Sequence, residues 1–261
     1  MNKNTLKEKL KNGQPCLGTF IRMQGSMTIE ILGEAGWDFV VIDMEHGIHS
    51  VSDLLGMKRA AAAAGISTVV RIPSPTEIDV MRALDAGGEG VQVPQLRTIE
   101  QIKTVCAAAR FAPLGNRGSC AYTSSARYTF TPYAEHIETS NEQVLVVIHI
   151  ENKESAEMID EILEVPGIDV VFCGPWDLSQ SFGIPGQTQH PIVKDTIKKV
   201  VSKCKAKGVS SGMFINKIEH MTEWLEAGVT YFTYGVDVGL FAEISRSIRG
   251  EISANIEQWS K

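Results

Sequence analysis

Cysteine is scarce and unpatterned in this chain of 261 residues: Cys16, Cys106, Cys120, Cys173 and Cys204 are odd in number, widely spaced and include no C-x-x-C pair. A disulfide framework and a zinc knuckle are both excluded as organising devices, and a reducing cytoplasm is the expected setting. Long apolar runs are absent too. No stretch approaches the roughly 18 residues of a membrane span, and the N-terminal "MNKNTLKEKLKNGQ" carries charge where a signal peptide has its apolar centre. The chain is expected to be soluble and unprocessed. Charge of one sign never gathers into a block and the formal net charge is -6, so nucleic acid and anionic membrane surfaces have no electrostatic footprint to meet. Partners should be small molecules or further protein subunits.

Several catalytic signatures are missing as well. There is no G-x-S-x-G, which removes the nucleophile-elbow hydrolases. The glycines of "LDAGGEGVQV" precede an apolar run and match neither a P-loop nor a strand-to-helix dinucleotide turn, so they read as helix-terminating turn chemistry. No strand end carries a lysine for a Schiff base. The nearest, Lys153, lies two residues beyond Glu151.

What is present is a repeated alternation. Short β-branched or aromatic runs recur at "LGTF" (17–20), "FVVI" (39–42), "TVVRI" (68–72), "GVQV" (90–93), "VLVVIHI" (144–150), "VVFC" (170–173), "SGMF" (211–214) and "YFTY" (231–234). Helical patterns separate them, over 51–64, 76–86, 98–110 and 153–164. The clearest follows Pro191, where Val193, Ile197, Val200, Val201 and Cys204 share one face before Gly208. Strands apolar on both faces, alternating with amphipathic helices, predict a parallel sheet covered by helices. Eight such units without a dividing linker predict a single (β/α)8 barrel domain over 1–261, with a doubly wound open sheet as the alternative. The one irregular zone, 111–143, is too long for an ordinary connection and is expected to be an active-site loop.

In such a barrel the chemistry belongs at the C-terminal strand ends. The polar residues there are few: Asp43, Glu45 and His46 after "FVVI", Arg71 in "TVVRI", Gln95 after "GVQV", His149 and Glu151 at "VLVVIHI", and Asp177 after "VVFC". Glu151 and Asp177 end adjacent strands and offer hard oxygen ligands of the kind Mg²⁺ or Mn²⁺ takes while keeping water and substrate. Each could instead cap a helix N-terminus. Histidine is the residue type suited to moving protons near neutral pH, and His46 has carboxylates beside it, which suits a general base or a merely hydrogen-bonded imidazole. Arg71, always charged on an apolar strand, needs an anionic partner, either substrate or a structural carboxylate.

Five segments, "EILGEAGWDFVVIDMEHG", "VVRIPSPTEIDVMRALDAGGEGVQVPQ", "RFAPLGNRGSCAYTSSARY", "IENKESAEMIDEILEVPGIDVVFCGPWDLS" and "IPGQTQHP", occur in order. Together they resemble the HpcH/HpaI aldolase/citrate lyase family, specifically its metal-dependent (class II) pyruvate aldolases acting on 2-keto-3-deoxy sugar acids and 4-hydroxy-2-keto acids. The resemblance implies a (β/α)8 barrel that assembles as a homo-oligomer, hexamer or trimer, with the last helix swapped onto a neighbour. It implies that Glu151 and Asp177 bind a divalent metal (Mg²⁺, Mn²⁺ or Co²⁺), that His46 is the base, and that Arg71 holds the keto oxygen. Backbone N–H groups at Trp176 and Asp177 would receive the substrate carboxylate, and Asp43 and Asp85 match positions that orient the histidine. The implied reaction is reversible cleavage of a 4-hydroxy-2-keto acid to pyruvate and an aldehyde. Two departures touch the pocket: His149 stands where Gln is common, and Trp176 where smaller or polar residues are frequent. The rival readings are a lyase acting on a coenzyme A thioester and a non-catalytic barrel that binds a keto acid.

Overall fold

The computed structural model describes residues 4–260. Its eight strands are β1 (Cys16–Ile21), β2 (Phe39–Asp43), β3 (Ser67–Arg71), β4 (Gly90–Val93), β5 (Leu145–Ile150), β6 (Val170–Cys173), β7 (Ser210–Ile215) and β8 (Tyr231–Val236). They close in sequence order into one parallel barrel, with β8 pairing back onto β1. Helices stand between successive strands, so the predicted (β/α)8 barrel is the fold observed. The open-sheet alternative falls because β1 and β8 are hydrogen-bonded neighbours.

The two-residue period of a strand divides the side chains into two cores. Val40, Ile42, Val91, Val93, Val146, Ile148, Ile150, Val171 and Cys173 point outward into a layer shared with the helices. Phe20, Phe39, Val41, Val69, Leu145, Val147, Val170, Phe172 and Tyr231 fill the barrel, together with Leu6 and Leu10 from the N-terminal helix Thr5–Lys11, which plugs its floor. Phe39 and Tyr231 stack with centroids 4.3 Å apart. Gly18 makes room for them: a Cβ there would lie 2.4 Å from the Phe39 ring.

The same parity decides where the polar residues go. Inward positions that are apolar low in the barrel become Arg22 after Phe20, Asp43 after Val41, Arg71 after Val69, and His149 then Glu151 after Val147. The chemistry is the top layer of the barrel's own packing.

The zone 111–143 corrects two expectations. Its second half is a helix, Tyr133–Gln143, whose inner face is polar, with His136 and Ser140 buried. An apolar period was therefore missing from the sequence. Its first half follows the helix Ile99–Ala108 and packs on the helix Glu77–Asp85, with Arg117 and the Ser125 N–H held by Asp85 and Asn116 by Glu77. It is not part of the mouth of its own barrel.

The last helix, Asp237–Trp259, buries only Asp237. Phe241, Ile244, Ile248, Ile252 and Ile256 are about half exposed or more along one side of it. Among the described residues, no helix is long and apolar enough to cross a membrane.

Candidate active site

Two cavities share the C-terminal rim of the barrel. One, of about 230 Å³, sinks between Phe20, Phe172, Phe214 and Val236 and is reached by Arg22, Arg71 and His149. The other, of about 490 Å³, is polar and is lined by Glu45, Gln95, Glu151 and Lys153. His46 and Asp177 line both, which places them at the junction.

Asp43 is the electrostatic anchor. It is fully buried, and its two oxygens take Arg71 Nε at 2.9 Å and Nη2 at 2.7 Å, while Arg22 Nε donates to Oδ2 at 2.7 Å. Burial alone would raise this carboxyl, but the Arg71 and Arg22 guanidiniums outweigh it and hold it at about 2. Asp43 also receives the backbone N–H groups of Glu45 and His46. It thus fixes the turn that carries His46 without touching the imidazole. The His46 ring is 56% exposed, its nearest carboxylate being Glu45 at 3.8 Å. Arg71 completes its contacts with Glu45 at 3.0 Å and lies over the Phe20 ring at 4.5 Å.

Across the ring a hydrogen-bonded chain sets the other carboxylate. Tyr231 donates to Gln92 Oε1 at 2.9 Å, so the Gln92 amide donates to His149 Nε2 at 2.7 Å. That leaves the His149 proton on Nδ1, which donates to Glu151 Oε2 at 2.8 Å. Phe172 stacks on the His149 ring at 4.8 Å and fixes its plane. The second oxygen of Glu151 accepts the Gln95 N–H at 2.5 Å. Gln95 reaches it through a left-handed backbone, φ 57°, unusual for a residue with a side chain. Burial pushes the Glu151 carboxyl up, but His149, the Gln95 N–H and Arg71 together bring it below the ordinary range.

Asp177 behaves oppositely. Partial desolvation, then the charge of Glu151, push its carboxyl above the usual value, and no hydrogen bond or ion pair to it occurs among the described residues. Gly174 lets the two acids share this space, because a Cβ there would come within 3.1 Å of Glu151 Cβ. An unpartnered carboxylate beside a like-charged one suits a divalent cation, which would relieve the repulsion. Among the described residues no group of three His, Cys, Asp or Glu gathers as a metal cage. Two carboxylates with an open remainder fit Mg²⁺ or Mn²⁺, which keep water and substrate in their shells. Pro175 opens the helix Pro175–Ser181, and the Trp176 and Asp177 N–H groups of its first turn have no partner within it.

A family model, HpcH/HpaI aldolase/citrate lyase, matches residues 17–243. The chain belongs to that family. It is 30% identical to 4-hydroxy-2-oxo-heptane-1,7-dioate aldolase of Escherichia coli, covering 96% of this chain and 95% of that protein. Among solved structures it is similar to an HpcH/HpaI aldolase from Desulfitobacterium hafniense DCB-2, with 31% identity, a TM-score of 0.88 and 95% and 96% of the two chains covered. It is also similar to citrate synthase SbnG, with 30% identity, a TM-score of 0.86 and 98% and 99% covered.

Of the site residues expected from the family motifs, His46, Arg71, His149, Glu151, Trp176 and Asp177 line the two cavities and Asp43 lies directly beneath. Asp85 does not join them within one chain. It ends the helix Glu77–Asp85 and is held by Arg117 at 2.6 Å. Sequence reasoning missed Arg22, Gln92 and Tyr231, and it placed Glu45 and Gln95 at strand ends without giving either a role. An amide inside "GVQV" was the available signal for Gln92, since a buried amide needs partners. Nothing local marks Tyr231, which reaches Gln92 from 139 residues away.

Proposed function

We propose that this chain is a carbon–carbon lyase that cleaves a 4-hydroxy-2-oxo acid reversibly to pyruvate and an aldehyde with a divalent metal ion, Mg²⁺ or Mn²⁺, bound by Glu151 and Asp177. The observation that carries it is the pair itself: one carboxylate oriented from behind by His149, the other unpartnered at its side, both at the rim of an arginine-bearing cavity. The family relationship supports the reaction class.

The charge to be managed is the enolate left when C3–C4 breaks. The ion supplies Lewis-acid polarisation of the keto oxygen. Arg71, held rigid by Asp43 and Glu45, adds a fixed positive charge in a cavity walled by Phe20, Phe172 and Phe214. His46, at the junction of the cavities, takes the 4-hydroxyl proton in cleavage and returns it in condensation. The first-turn N–H groups at Trp176 and Asp177 receive the pyruvate carboxylate. Lys153 lines the outer cavity but is not needed as a nucleophile.

Proton NMR of pyruvate in D₂O tests this without knowledge of the aldehyde. The methyl signal should decay when protein and Mg²⁺ are both present and persist after EDTA, and borohydride with pyruvate should leave the protein mass unchanged. A Lys153 adduct, or exchange indifferent to EDTA, would overturn the metal reading. No exchange in folded, metal-loaded protein would favour the thioester lyase or the binding barrel.

The chain acts as one barrel domain in a cytoplasmic homo-oligomer, hexamer or trimer. The apolar row Phe241 to Ile256 supports this, since a second copy covering it, by a swap of the helix, would remove it from water. Such a neighbour is also the way Asp85 and the 111–132 segment could reach a site they do not reach within their own chain. Light scattering should return a multiple of the 28.5 kDa chain mass. A monomer at micromolar concentration would refute the assembly.

A further inference from the structure

Polar side chains run through the packed interior of the barrel, where apolar ones would fill the space without a desolvation penalty. Tyr231 opens β8 at the floor and Gln92 lies on β4, strands that stand opposite each other in the ring of eight, so their 2.9 Å hydrogen bond is made across the barrel. Gln92 then meets His149 on the neighbouring β5 at 2.7 Å, and His149 meets Glu151 at the rim at 2.8 Å. Tyr231 and Gln92 are fully buried. Among the described residues, neither they nor His149 has a buried polar atom without a partner, the condition a polar network in a core must meet.

Aromatic packing holds the ring planes. Phe172 meets the Tyr231 ring edge-on at 6.0 Å while it stacks on His149 at 4.8 Å. Gly212 admits this pair, because a Cβ there would lie 2.8 Å from the Tyr231 ring and 2.9 Å from the Phe172 ring.

The hydrogen bonds run in one direction. A carboxylate only accepts, so His149 turns an N–H at Nδ1 toward Glu151, and its Nε2 takes a hydrogen from the Gln92 amide. That leaves the Gln92 oxygen for the Tyr231 hydroxyl, which donates. Burial pushes this hydroxyl well above its ordinary value and keeps it a donor. The phenol fixes the amide, the amide fixes the tautomer, and the tautomer supplies a donor to a carboxylate whose other oxygen is held by Gln95.

We propose that Tyr231 and Gln92 are positioning residues that act from the barrel interior, through His149, to hold Glu151 in the orientation in which it receives the divalent ion. Removing an outer-shell donor of this kind weakens metal binding about 10- to 100-fold. The ion rests on the reading proposed above; the hold on His149 does not.

Tyr231→Phe and Gln92→Met each remove one link while keeping most of the side-chain volume. Nitrogen-15 NMR of the histidine rings in the metal-free protein reads the tautomer, with the His149 signal assigned by its loss in His149→Leu, and calorimetry reads Mg²⁺ affinity. The wild type should show His149 with its proton on Nδ1. In Y231F the Gln92 amide is free to turn its oxygen toward Nε2, so a fraction with the proton there should appear. The Kd for Mg²⁺ should rise about 10-fold in Y231F and in Q92M. In the His149→Leu background Y231F should bring no further loss, because the link between the phenol and Glu151 is already cut. Tautomer and affinity both unmoved in folded Y231F, or the same loss from Y231F with and without His149, overturns the assignment. A shifted tautomer in a protein whose wild type binds no Mg²⁺ would remove the metal reading and keep Tyr231 and Gln92 as the residues that set His149.

Discussion

Replacing Asp177 with asparagine is expected to lower metal-dependent deuterium exchange into pyruvate by about 10³-fold or more. The magnitude follows from losing a Lewis acid that supplies several kcal/mol to the enolate-forming step, with each 1.4 kcal/mol worth about tenfold. The amide keeps the shape of the side chain but offers no charge to balance a divalent ion, so Mg²⁺ affinity should fall together with exchange. Stability of the metal-free protein should move the other way. Asp177 has its carboxyl pushed up by partial desolvation and then by Glu151, so its ionised form is a burden on the empty fold that asparagine removes. A metal-free melting temperature that does not fall, beside lost metal binding, identifies a ligand. Wild-type exchange in D177N would show that Asp177 holds no catalytic metal.

The second large effect belongs to Asp43. Asp43→Asn leaves Arg71 at the top of the barrel without its bidentate partner, and removing one member of a buried ion pair costs about 3–5 kcal/mol. For a chain of this size that corresponds to a melting temperature lower by about 10 °C. Exchange activity should fall with it, because the same oxygens fix the turn of His46 and the guanidinium of Arg71. The acid dependence supplies a separate check. Asp43 is depressed from 3.8 to about 2. Its contribution is therefore fully present above the unfolded value and is lost as pH falls through the window from 3.8 to about 2. At 1.36 kcal/mol per unit this is roughly 2 kcal/mol. D43N should lack that component of acid destabilisation. If denaturant titrations of wild type and variant lose stability in parallel across this window, Asp43 is not the anchor described here.

His149 shows how the fold commits a buried imidazole to one role. An imidazole at this position could have entered a metal shell. The fold instead places Gln92 behind it and Phe172 against it, and Tyr231 fixes which way the Gln92 amide faces. The result is a donor aimed at Glu151, a role an amide can also fill. Trp176, half exposed on the rim, narrows the mouth without touching the carboxylate pair through any polar contact.

The sequence alone determined the barrel and most of its chemical inventory. Eight β-branched runs, alternating with helical periods and unbroken by a linker, leave few other ways to bury both faces of a parallel sheet. Strand-end position alone singled out His46, Arg71, Glu151 and Asp177. Local pattern suffices for these because strand parity and chain order are local properties. Tertiary structure alone decided what those residues do to one another. Whether Arg71 met a substrate or a structural carboxylate depended on β2 and β3 being neighbours in register, Asp43 opposite Arg71. The 111–143 zone misled because a helix that buries His136 and Ser140 has no apolar period, and because its place on the barrel follows from the helix before it. Partners separated by tens of residues are chosen by closure of the ring, and closure is a property of all eight strands together.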